Sequence, residues 1–162
     1  MVDVETVSIT IAAASVVAGV IYTVLQVREQ TRMRQTDLII RLYSTYGSNE
    51  FQEALLKVWN AHSKDYEDHV KQYGSWTSDN PVTKAFTTVG IFFEGLGLLL
   101  HRKLIDPGLT FDLFGGAALF LAWETMKPLV QGVRKDADDP TVLTMFEYLY
   151  NEMKKKSAEE VA

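Results

Sequence analysis

Three groupings of side chains in this sequence are of types that could do chemistry. The first is His62, Asp65 and His69. On an uninterrupted helix, steps of three and four residues would put all three on one face, where two imidazoles and a carboxylate suit zinc or another divalent ion. Glu67 and Asp68 add negative charge beside them. Against a metal site, Ser63 can cap a new helix and break that register. The run KDYEDHVKQY also reads as a solvated helix face. The second grouping is Glu94, which shares a helical face with Gly90, Gly97 and His101. A carboxylate between two glycines lies where a neighbouring helix can approach, so it must find a partner or become easier to protonate. His101, Arg102 or Lys127 could serve, giving either a buried acid suited to proton chemistry or, more simply, a polar contact that fixes helix packing. The third is Trp123-Glu124 with Lys127: the indole aligns with core positions, and the charged pair can meet at i, i+3 on the helix surface. Phe146, Tyr148 and Tyr150 form an aromatic group that reads as core and rim.

Other chemistries lack their residues. Gly115-Gly116 falls inside a predicted helix without the Gly-Lys-Ser/Thr ending of a phosphate loop. No serine sits in a nucleophile elbow. The chain has no cysteine, which excludes disulfides, thiolate catalysis and cysteine-bound metals. No catalytic residue and no cofactor is implied.

The elements that must position these side chains are helical almost throughout, and the expected fold is all-α. Residues Thr6 to Val27 hold no charged side chain. At about 1.5 Å rise per residue, that run spans the roughly 30 Å hydrocarbon core of a bilayer. The short segment before it carries Asp3 and Glu5, and Arg28, Arg32 and Arg34 follow it. Basic residues in short flanks face the cytoplasm, so residues 1–5 are expected outside and everything after the span inside. A cleaved signal peptide would want its basic residues first. One stripe of the span is small or polar: Ser8, Ala12, Ser15, Gly19, Thr23 and Gln26. Ser15 and Gly19 make the small-xxx-small spacing that lets two membrane helices approach closely. Alternatively, the hydroxyls bond back to their own helix.

The span is expected to continue as a juxtamembrane extension over 28–47, with Gly47 as its stop. A bundle of four to five helices follows over 48–156, and a frayed tail over 157–162. Ser48 caps a helix running to about residue 63, and residues 64–73 form a short polar helix ended by Gly74. Asn80-Pro81 starts the central helix, which runs to Leu104. Thr110 is expected to cap one helix through Met126 that Pro128 kinks. Asp138-Asp139-Pro140 is expected to start the last. A second membrane hairpin from residues 85–100 and 109–123 is the rival, but each run is short of a span and carries a carboxylate, Glu94 or Asp112.

The formal charge is −5 from 16 basic and 21 acidic residues. That balance, without a basic face, argues against a nucleic-acid partner. The stretch FFEGLGLLLHRKLIDPGLTFDLFGG, with WETMKPLV and FEYLY after it, resembles a widespread prokaryotic family of unknown function. Its members have one N-terminal membrane helix and a small cytoplasmic helical domain. The resemblance implies architecture and no reaction. The expected role is therefore a membrane-anchored, non-enzymatic structural or accessory protein of the cell membrane, whose partners are the bilayer and a membrane protein or a second copy. A membrane-tethered ligand-sensing or signalling module is the alternative. A metal-dependent enzyme using His62 and His69 comes third.

Overall fold

The computed structural model describes residues 3–161, so the first two residues and Ala162 lie outside it. Seven helices account for the regular structure of the described residues: α1 (Val4–Tyr46), α2 (Asn49–Trp59), α3 (Tyr66–Tyr73), α4 (Pro81–His101), α5 (Pro107–Phe114), α6 (Ala117–Asp136) and α7 (Thr144–Val161). The all-α expectation holds. The chain divides into two compact units, Met1–Ile40 and Arg41–Ala162, with the division inside α1.

In the first unit, every described side chain from Ala12 to Arg34 is exposed, including Val16, Val17, Val20, Ile21 and Leu25. By length and apolar composition this helix can cross a membrane. Thr23 Oγ1 donates to the Gly19 carbonyl at 2.8 Å, satisfying its hydroxyl within the helix.

The second unit is built around α4. This helix packs chiefly on α7 and α2, while α6 packs on α2, α3 and α7. Val89, Phe93 and Leu96 of α4 are fully enclosed. Although α4 is also apolar enough to cross a membrane by composition, 44% of its apolar window is buried inside the protein. That is the pattern of a helix enclosed by other helices.

The helix starts follow side-chain chemistry. Ser48 Oγ accepts from Phe51 N–H at 3.2 Å, and Asn80 Oδ1 from Val82 N–H at 2.8 Å ahead of Pro81. Asp65 caps α3 through Asp68 N–H at 2.9 Å.

Three expectations are corrected. The helix expected to start at Thr110 is two helices. Asp106, not Thr110, is the cap, with Oδ1 accepting from Leu109 N–H at 2.8 Å. Thr110 is buried and donates to the Asp106 carbonyl. Gly115-Gly116 separates α5 from α6, with Gly116 at φ 97°, a backbone state that favours glycine. The body after α1 consequently has six helices instead of four or five.

The last helix starts four residues later than Pro140 suggests. Asp139 Oδ1 accepts from Thr141 N–H (2.8 Å) and Thr141 Oγ1 (2.6 Å), closing a local turn instead of capping α7. Finally, α7 runs on to Val161, past Ser157, where a frayed end was expected.

Candidate functional site

The helices bring the three sequence groupings to different ends. Helix α2 stops at Trp59, and Asp65 is spent capping α3, so the helical register through His62, Asp65 and His69 does not exist. His62 is exposed on the connection, whereas His69 is buried. Among the described residues, no three His, Asp or Glu side chains gather closely enough to hold a metal ion.

Glu94 and His101 do not form a buried polar cluster either. Glu94 Oε2 accepts from the Phe146 backbone N–H at 2.7 Å, at the third residue of α7. A carboxylate from α4 thus caps a helix that begins 50 residues later, where unpaired amides and the helix dipole favour negative charge. His101 is exposed, its ring edge-on to Tyr148 at 5.0 Å. The glycine expectation is met at Gly97: a Cβ there would lie 2.0 Å from the Met145 carbonyl oxygen, so α7 rests directly on α4 backbone.

Glu124 accepts from the Tyr150 hydroxyl and makes no ion pair with Lys127. That bond, then burial and the carboxylate's charge, raises the Tyr150 pKa above its usual value. Trp123 is core, edge-on to Phe146 at 4.9 Å.

What the sequence grouping missed is an apolar cavity of about 260 Å³ within the second unit. Tyr66 and His69 of α3, Trp76 of the following loop, one face of α4 (Thr83, Phe86, Thr87, Gly90 and Ile91), one face of α6 (Met126, Leu129, Val130 and Val133), and Val142-Leu143 of the α6–α7 turn line it. None of the lining residues is an Asp, Glu, Lys or Arg. Its hydroxyls are already engaged. Tyr66 Oη donates to Asp136 Oδ2 at 3.0 Å, Thr87 Oγ1 to the Thr83 carbonyl at 3.2 Å, and Thr83 Oγ1 to the Tyr73 carbonyl at 3.4 Å. Ser63 Oγ lies 3.2 Å from His69 Nδ1. Burial lowers the His69 pKa, opposed in part by the nearby Asp68 carboxylate, so the imidazole facing this cavity is neutral at pH 7.

Backbone contacts hold the walls. A Cβ on Gly132 would lie 2.1 Å from Tyr66 Cβ, so α3 seats directly on α6. Arg134 fixes the turn by donating from Nε to the Val142 carbonyl and from Nη2 to Glu147 Oε2, both at 2.9 Å. Leu143 is held at φ 54°, an uncommon conformation for a branched side chain. The one sequence signal for this site is Trp76, a 48% exposed indole in the otherwise polar loop GSWTSDN.

The described residues therefore form an all-α chain: an apolar helix followed by a helical body that holds an uncharged cavity. The chain belongs to the DUF4760 family, a domain of unknown function, whose family model matches residues 9–153. No curated protein and no solved structure matches the chain.

Proposed function

We propose that this chain is a non-enzymatic accessory protein anchored in the cell membrane by one helix, with residues 28–162 on the cytoplasmic side, and that it assembles with a second copy or a larger membrane complex. The observation that carries this reading is the exposed apolar face of α1 between Ala12 and Val27. Val16, Val17, Val20 and Ile21 are all more than half exposed, and water-soluble surfaces rarely present so continuous a patch. Arg28, Arg32 and Arg34 directly after it favour the stated orientation. Gly19 supports the assembly. A helical glycine costs about 1 kcal/mol relative to alanine, yet a Cβ at Gly19 would meet nothing within 4 Å, so no contact within the chain calls for its small size. A helix from another molecule would.

Single cysteines at Ala12 and Gly19 test the assembly, with Ile21, two residues on and facing the other way, as control. In native membranes, oxidative crosslinks are expected at Ala12 and Gly19 and not at Ile21. A chain that stays in the soluble fraction, or crosslinks equally at all three sites, overturns the reading.

A further inference from the structure

We propose that the 260 Å³ cavity of the second unit is a binding site for a small, neutral, largely apolar molecule that carries an aromatic ring. Size comes first. An apolar cavity of about 150 Å³ accepts benzene, so by proportion this one accepts about ten non-hydrogen atoms. Charge comes second. No ionised side chain lines the cavity, and an anion or cation entering it would lose its hydration without gaining a partner.

Hydrogen bonding comes third. The hydroxyls of Thr83, Thr87 and Tyr66 already have protein partners. Recognition therefore rests on shape and apolar contact, with at most one polar group on the ligand. The ring requirement comes from the walls. His69 and Phe86 stand edge to face with centroids 5.1 Å apart, Met126 supplies a thioether, and Trp76 and Ile91 stand 48% and 65% exposed. Aromatic and sulfur-bearing walls favour a flat ring by edge, face and sulfur contacts. Exposure of Trp76 and Ile91 places the opening on their side and gives a ligand a route in. The site is independent of the membrane proposal, since every wall residue belongs to the second unit.

The test is titration of the full chain in phospholipid nanodiscs with 2-naphthol, followed by tryptophan fluorescence and calorimetry. Empty discs account for partition into lipid. If the chain proves soluble without lipid, the same titration runs in buffer. Saturable binding of 2-naphthol is expected, with 2-naphthoate at least about tenfold weaker because its carboxylate finds no partner. Val133→Phe, on a half-buried wall, and Thr87→Trp, on the exposed rim, are expected to fill the space and abolish saturable binding. Circular dichroism checks that each remains helical. Uptake no greater than that of empty discs, equal binding of naphthol and naphthoate, or binding retained by folded versions of both filled variants overturns the proposal. If either variant fails to fold, the other and the neutral-versus-charged contrast still decide it.

Discussion

Glu94 is the only charged residue between Ala85 and Leu100, and its partner is a backbone amide, not a cation. The bond closes an end of α7 that has no local side-chain cap, since Asp139 is occupied by Thr141. Glu94→Ala is expected to destabilise the second unit by about 1–2 kcal/mol, the usual range for losing a helix cap. Glu94→Gln, which keeps an acceptor and loses the charge–dipole attraction, is expected to cost about half of that. Chemical unfolding followed by circular dichroism measures both; equal stability of Glu94→Ala and the parent would show that the cap contributes nothing. His69 makes a second prediction, in pH. Burial depresses its folded pKa below the ordinary 6.5. The unfolded chain therefore binds the proton first on acidification, and folding stability is fully present above about pH 6.5 and declines as pH falls below it. The nearby Asp68 carboxylate softens the decline without removing it. Asp68, Asp79 and Asp139, with pKa values lowered below 3.8 by their hydrogen bonds, lose their contributions only in a more acidic window. A His69→Gln chain is expected to show a flatter stability profile between pH 7 and 5 than the parent; parallel profiles would refute this.

At the level of elements, glycines of similar appearance have opposite roles. Gly95 and Gly97 lie two residues apart in α4. At Gly97 a methyl group would enter the Met145 carbonyl, whereas at Gly95 it would meet nothing within 4 Å. Gly97→Ala must push α7 off α4 and is expected to cost about 3 kcal/mol or more, the scale of overpacking in a tight contact. Gly95→Ala is expected to stabilise by up to about 1 kcal/mol through helix propensity and a less flexible unfolded chain. Thermal unfolding of the two variants side by side checks the contrast, and a loss of stability at both positions would sink it. The contrast also marks how far the sequence is readable. Helices α2, α3 and α4 announce themselves because Ser48, Gly74 and Asn80-Pro81 act on amides within a few residues. The α5–α6 break goes unread and the start of α7 reads four residues too early because Gly116 and Asp139 serve turns whose closure depends on neighbouring geometry. Glu94 was legible as a carboxylate needing a partner, but that partner, the Phe146 amide, carries no mark in a one-letter sequence. The cavity was illegible for a related reason: its walls come from α3, α4, α6 and two connections, and each residue is an ordinary core type on its own.

For the whole molecule, the division of roles between the two units rests on where apolar surface is satisfied. The second unit encloses its own: Phe93, Phe114, Trp123 and Phe146 are each 2% exposed or less. The helix from Ala12 to Val27 encloses none of its own, because its described side chains are all exposed. A cooperative core that owes nothing to residues before Arg28 should survive their removal. Residues 28–162 expressed alone are therefore expected to remain in solution without detergent, to keep the helical circular dichroism of the body and to unfold in one transition. The full chain is expected to resist alkaline carbonate extraction from membranes. Val20→Arg, which sets a guanidinium in the middle of the apolar run at an insertion cost of about 2.5–3.5 kcal/mol, is expected to shift the chain toward the soluble fraction. If residues 28–162 aggregate or fail to fold, the apolar helix is needed by the body as a structural element and its exposure belongs to packing. If they fold and the full chain still washes off membranes, the apolar surface of α1 is covered by protein instead of lipid.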